Sequence, residues 1–286
     1  MAANATGKIL VAVDGSQLAR NAAEMAIRLA KIQGYGIHAL YVVDEALALE
    51  TYSDYHRELT FKVDPDEDDD PVALLEAQGA LALDQVELKA KLADVPVEVE
   101  MLLGNVEDLI LERAEQALMI AMGRRGNRHA GQPHHLGAHF WQVVHKAKVP
   151  IIAAGDVLPE RASRLMFVFT GDDERSMKAL HGVTILQRDL NADVLVVLAG
   201  DPTDVQAQDW QDQVLARIAE EDRPHYRFVR RAEKRAEALV AVAEEENVDL
   251  IVMSYVHRHL AILDEILGTP LDKVLQETQI PVIIVR

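Results

Sequence analysis

Residues 136–154 read LGAHFWQVVHKAKVPIIAA, and residues 267–285 read LGTPLDKVLQETQIPVIIV. Each stretch has Leu-Gly, a small residue, a helical run, a proline and a β-branched run, in that order. The echo extends upstream. ALMIAMGRRGN ends at Asn127 and VDLIVMSYVHR ends at Arg258, each an apolar run that closes on Met and then breaks. Ten residues separate Gly126 from Gly137, and ten separate His257 from Gly268. Nearer the start, KILVAVDGS (8–16) parallels RLMFVFTGD (164–172). Three coincidences with matched spacing are the mark of a duplicated unit.

Each copy alternates strand and helix. Strands are expected at 8–13, 37–43, 96–102, 117–122 and 149–154, and again at 165–170, 192–198, 225–230, 248–253 and 280–285. Runs such as ILVAV, DVLVVL and PVIIV are apolar on both faces, as covered parallel strands must be. Between them lie amphipathic helices such as SQLARNAAEMAIRLAKI and EDLILERAEQA. This alternation predicts an α/β fold of right-handed crossovers, with two doubly wound sheets in tandem. The domains are expected at 1–156 and 163–286, joined by the short linker GDVLPERAS (155–163). The segment 44–71 has no counterpart in the second copy, and its acidic tract VDPDEDDDP reads as a solvated loop.

The bulk properties narrow the function classes. The 286 residues carry a formal net charge of -18. That balance argues against general binding to nucleic acid or anionic membranes. No apolar run approaches the ~20 residues that span a bilayer. The N-terminus lacks the basic and apolar regions of a secretory signal. With no cysteine, thiol chemistry is excluded. A cytoplasmic protein is expected.

Ligands of doubly wound sheets bind beyond the carboxyl ends of the strands, where strand order reverses. Asp14, Val42 to Asp44 and the loop 123–139 fall on that rim. The loop follows a strand and precedes a helix, so its backbone N–H groups and the helix end form a place for an anion. Gly123 and Gly126 would let the backbone approach a phosphate. Gly137 would open the next helix, and Arg124, Arg125 and Arg128 would add charge-assisted bonds. Asp14-Gly15-Ser16 has an ordinary reading as well, as the cap of the helix that follows.

With VAVDGS, GNVEDLI, the glycine loop and the LGAH…VPIIAA tail in hand, both halves resemble the universal stress protein domain. The whole chain is similar to a tandem member of that family. The resemblance implies five-stranded domains of the adenine nucleotide alpha hydrolase-like kind. It also implies that the closing strands VPIIAA and PVIIVR pair within the chain as a pseudo-dimer, with a homodimer of chains as a further expectation. Many family members bind ATP through Gly, two residues, Gly, nine residues, Gly, then Ser or Thr. By that resemblance Asp14 contacts the adenosine, with Gly15 and Ser16 beside it. Val42 offers a backbone contact to adenine. Gly123, Gly126 and Gly137 are the motif glycines, flanked by Arg124, Arg125, Ala138 and His139. Mg would arrive with ATP. Two departures stand out: ten residues replace nine, and Ala138 replaces the hydroxyl residue. Losing that hydroxyl's bond to a charged phosphate costs about 1.5–3 kcal/mol.

The second copy departs further. Thr170 stands in place of the Asp, Ser254 and His257 in place of the first two glycines, and only Gly268 and Thr269 fit. This half is expected not to bind ATP. The histidines offer a metal reading, since His135 and His139 would share a helix face. Exposed polar loop residues are the plainer alternative. No catalytic triad, HExxH or Walker loop is present. The lead expectation is a stress-response binding or signalling module that takes an adenine nucleotide in its first half and presents the loop to a protein partner. A protein of the same fold that binds no nucleotide, and a slow ATP hydrolase, are the alternatives.

Overall fold

The computed structural model describes residues 7–47, 71–126, 136–171, 174–200, 202–231, 236–255 and 270–286. The first repeat contains β1 (Lys8–Val13), α1 (Gln17–Gln33), β2 (Gly36–Asp44), α2 (Pro71–Leu92), β3 (Val97–Gly104), α3 (Val106–Ala114), β4 (Met119–Gly123), α4 (Ala138–Lys146) and β5 (Ile151–Ala154). The second contains β6 (Arg164–Phe169), α5 (Glu174–Leu190), β7 (Asp193–Ala199), α6 (Asp204–Leu215), β8 (Tyr226–Arg231), α7 (Ala236–Glu245), β9 (Leu250–Ser254), α8 (Pro270–Glu277) and β10 (Val282–Val285). Every expected strand is present, with ends shifted by two residues at most.

The chain forms two compact units. The first holds β1–β4 with α1–α4, and the second holds β5–β10 with α5–α8. In the first, the strand order is β3-β2-β1-β4 and all strands are parallel, with Ile37 level with both Ile9 and Val97. The chain leaves β1 toward β2 and β3, then returns to the other side of β1 for β4. The order therefore reverses between β1 and β4. In the second unit the order is β5-β10-β9-β6-β7-β8, and its reversal lies between β6 and β9. There β5 runs antiparallel to β10, with Ile152 beside Ile283. This is the pairing of VPIIAA with PVIIVR that the resemblance implied. The strand that closes the first repeat in sequence is thus built into the sheet of the second unit.

The packing follows from side-chain size. Ile9, Leu10 and Val11 have no solvent exposure, so β1 is covered on both faces. Burying each such side chain contributes about 1.5–3 kcal/mol. Helix α1 turns Ala19, Ala22, Ala23, Ala26 and Ala30 inward, and these small residues let its backbone lie close to the sheet. Helix α2 packs on β2 and β3. A Cβ on its Gly79 would sit 2.5 Å from the Tyr41 ring, so only glycine allows that contact.

The linker is fastened to the second unit. Val157 N donates to Gln279 O at 3.3 Å, and Ser163 N donates to Asp249 Oδ2 at 2.8 Å.

Candidate functional site

Where strand order reverses in the first unit, Asp14 leaves the end of β1 and is exposed. Its Oδ1 accepts the Ser16 N–H at 2.8 Å. Gly15 takes φ +74°, a left-handed conformation that L side chains rarely adopt. Ser16 Oγ accepts the Ala19 N–H at 3.1 Å and caps α1. Asp14-Gly15-Ser16 therefore builds the cap. The cap leaves Asp14 Oδ2 facing Gly126 across the crevice, and a Cβ at Gly126 would lie 2.8 Å from that oxygen.

The three loop glycines hold different places. A Cβ on Gly123 would lie 2.9 Å from Ala19 N and 2.9 Å from Leu18 Cβ. Gly123 thus admits the first turn of α1, a packing requirement, whereas Gly126 admits the Asp14 carboxylate. Gly137 is the N-cap of α4 with no side-chain cap bond, and its N–H donates to Arg124 O at 2.8 Å. That bond brings the two ends of the loop together. Arg124 and Arg125 are only 1% and 6% exposed, so their guanidinium groups are not presented to solvent. Ala138 begins α4 and is exposed. Arg128, His134 and His135 lie outside the described residues.

At the end of β2, Val42 is half-buried beside the buried Tyr41 and Val43. Burial pushes the Tyr41 hydroxyl up from its ordinary pKa, and the nearby Asp14 charge adds to that. Asp44 and His139 meet: His139 Nε2 lies 3.4 Å from Asp44 Oδ2. The other ring nitrogen, Nδ1, lies 2.7 Å from Glu107 Oε2. Glu107 is in the first turn of α3, whose cap is the Asn105 side chain. Burial pushes the Glu107 carboxyl up. Its own backbone N–H, His139 and Lys146 outweigh that effect and hold it below the usual carboxylate range. One imidazole therefore ties the ends of β2, α3 and α4. Reading the sequence missed Glu107, because its partner is 32 residues away. The available signal was a carboxylate in the first helical turn, aimed at the same rim.

Among the described residues, no helix is long and apolar enough to cross a membrane. No group of three His, Cys, Asp or Glu side chains among them could hold a metal ion.

A family model described as the universal stress protein family matches residues 6–154 and again residues 163–286. The chain belongs to the universal stress protein family. Its solved neighbours agree in fold. A universal stress protein from Archaeoglobus fulgidus superimposes with a TM-score of 0.72 at 18% identity, over 97% of this chain and 95% of that one. A protein from Pseudomonas aeruginosa PAO1, described as functionally unknown, gives a TM-score of 0.59 at 14% identity, over 97% and 91%. No curated protein matches the chain.

The second universal stress protein repeat has the same frame with other contents. Thr170 is exposed at the end of β6, and Gly171 follows with φ +128°. Over Gly171 lies Trp210 of α6, whose ring atom Cζ2 would be 3.3 Å from a Cβ there. Trp210 also meets the edge of Phe169, with ring centroids 5.6 Å apart. After β9, Tyr255 is buried and carries the Arg286 guanidinium 3.8 Å above its ring. Burial pushes the Tyr255 hydroxyl up from its ordinary pKa, and Arg286 opposes that. His257, Gly268 and Thr269 lie outside the described residues.

Proposed function

We propose that this universal stress protein is a cytoplasmic stress-response binding or signalling module that takes an adenine nucleotide in its first unit. The observation that carries the reading is the approach of the Asp14 carboxylate to Gly126 at the point where strand order reverses between β1 and β4. This is the place where doubly wound folds bind nucleotides. Asp14 is exposed there, with one oxygen committed to the Ser16 N–H and the other facing the crevice. A carboxylate so placed accepts hydrogen bonds from ribose hydroxyls. Val42 and Gly126 supply backbone, and Gly137, Ala138 and His139 form the helix end nearby. Gly15 and Ser16 hold Asp14 in position, and Gly123 holds α1. Domains of 1–156 and 163–286 are part of this reading, with the second acting as structural partner.

Calorimetric titration of the whole chain with adenine nucleotides, with and without Mg, tests it. One site per chain, lost in Gly126→Val and kept in Trp210→Phe, is the expected result. A second reading, a protein of this fold that works through protein contacts alone, is favoured by the burial of Arg124 and Arg125 and by Ala138. It predicts no heat with any adenine compound and none released from denatured protein. A Mg-dependent phosphate release above background, abolished in Asp14→Ala, would point to a slow hydrolase.

A further inference from the structure

Helix α2 is apolar on two sides. One side faces the sheet: Gly79, Ala82, Val86 and Ala90 are buried, and the helix packs on β2 and β3. The other side carries Leu74, Leu81, Leu88 and Leu92, which are 58%, 65%, 60% and 77% exposed. At 3.6 residues per turn these four leucines fall in one stripe about 40° wide, on the side away from the sheet. A surface helix ordinarily puts charged and polar residues there. Among the described residues none buries this stripe. Clustered leucines of this exposure make the kind of apolar patch that marks an interaction site on a soluble protein.

The stripe is complementary to itself. Leu74 and Leu88 lie at equal distances in sequence on either side of Leu81. Two antiparallel copies of α2 crossing at Leu81 therefore set Leu81 on Leu81, and Leu74 on Leu88 twice over, as a two-fold contact requires. On one flank Gln78 comes level with Gln85 of the second copy, where the two amides can bond each other. Charge decides between the two directions. A parallel pair would bring Lys91 level with Lys89 of the second copy, and like charges across an interface repel. Both already hold carboxylates of their own chain, Glu24 at 3.2 Å from Lys89 and Glu87 at 2.7 Å from Lys91. The antiparallel pair keeps these cations at opposite ends. A stable interface needs ~800 Å² from each partner, and the stripe spans most of a 22-residue helix about 33 Å long. We infer that α2 joins two copies of this chain, as an antiparallel helix pair centred on Leu81.

Sedimentation equilibrium of the whole chain, from about 1 to 200 μM, reads the association. A monomer–dimer equilibrium is expected, and it should tighten as salt screens the formal charge of -18 on each copy. Leu81→Glu sets two carboxylates against each other on the two-fold and should weaken the dimer about 100-fold or more. Because Leu81 is exposed, the melting temperature of the dilute monomer should not change. Val205→Glu, at a still more exposed residue of α6, should leave the dimer as it was. Direction is read by cross-linking. The chain has no cysteine, so a short bismaleimide joins only introduced thiols. Leu81→Cys should cross-link with itself. Leu74→Cys should not, but should join Leu88→Cys when the two variants are mixed. A monomer at every concentration would overturn the inference, and so would a dimer that Leu81→Glu leaves intact. Leu74→Cys joined to itself and not to Leu88→Cys would overturn the antiparallel pairing.

Discussion

The two repeats place a glycine at the same turn and cover it differently. Gly15 and Gly171 both follow the first strand of their repeat, and both have positive φ. Over Gly15 lies Ala82 of α2, whose Cβ would be 3.9 Å from a side chain built there. Over Gly171 lies the indole of Trp210. After the fourth strand of each repeat, Arg124 and Tyr255 correspond and both are buried. In the first repeat the crevice keeps an exposed acid, Asp14. In the second, Thr170 takes that place, Trp210 covers the neighbouring turn, and Arg286 stacks on Tyr255. The sheet tolerates duplication because its strands are specified by apolar runs. The rim diverges because a few side chains decide whether it stays open to a ligand.

Substitutions at matched positions separate the two repeats. The largest effect is expected at Gly155, which corresponds to Arg286 in the other repeat. A Cβ there would stand 2.0 Å from Gln279 O and 2.9 Å from the Gln279 carbonyl carbon. Backbone cannot yield as a flexible side chain does, so Gly155→Ala should cost about 4 kcal/mol in urea unfolding. Stability within the error of the natural chain would show that the backbone at Gly155 and Gln279 can move apart. Next, Trp210→Ala removes the contact with Phe169 and the cover of Gly171. A loss of about 3 kcal/mol is expected, without any gain of nucleotide binding, since Thr170 offers no carboxylate.

Gly123→Ala and Gly126→Ala form a matched pair. The first drives a methyl group into the α1 backbone and should cost about 2 kcal/mol. Among the described residues the second meets only the tip of Asp14, so its stability cost should be about 0.5 kcal/mol, with the loss falling on adenine binding. Equal stability costs would show that the two glycines do not divide packing from ligand binding. The smallest effect is electrostatic. Glu107 is held below its ordinary pKa in the fold, so its charge stabilises the native state above about pH 4.3. That contribution disappears as pH falls through the lowered value. Glu107→Gln should therefore flatten the acid limb of the stability profile and leave the alkaline limb unchanged. An acid limb identical to that of the natural chain would remove the His139 bridge as its cause.

Much of this architecture is legible in the sequence because covered parallel strands are apolar throughout and the repeat shows them twice. KILVAV and RLMFVF announce themselves. The site is less legible. The rim position of Asp14 follows from strand order, and its cap chemistry from the Asp-Gly-Ser triplet. Gly123 reads like Gly126 in the sequence, yet its neighbour is α1, an adjacency created only when β4 pairs with β1. Arg124 and Arg125 read as anion donors because charge suggests exposure. In the fold both are buried, as Tyr255 is at the position matching Arg124 in the other copy. Glu107 and His139 are ordinary helix-start residues until α3 and α4 converge.

The exchange of β5 has a consequence for how such a gene can evolve. The strand encoded at the end of the first repeat runs beside β10, through Ile152 and Ile283. A chain divided at the linker would release a second repeat whose β10 has lost a neighbour, and a bare apolar edge invites pairing with any other chain. Each copy's closing strand is the cover of the other's, so the second copy is needed for the first even where it binds nothing itself.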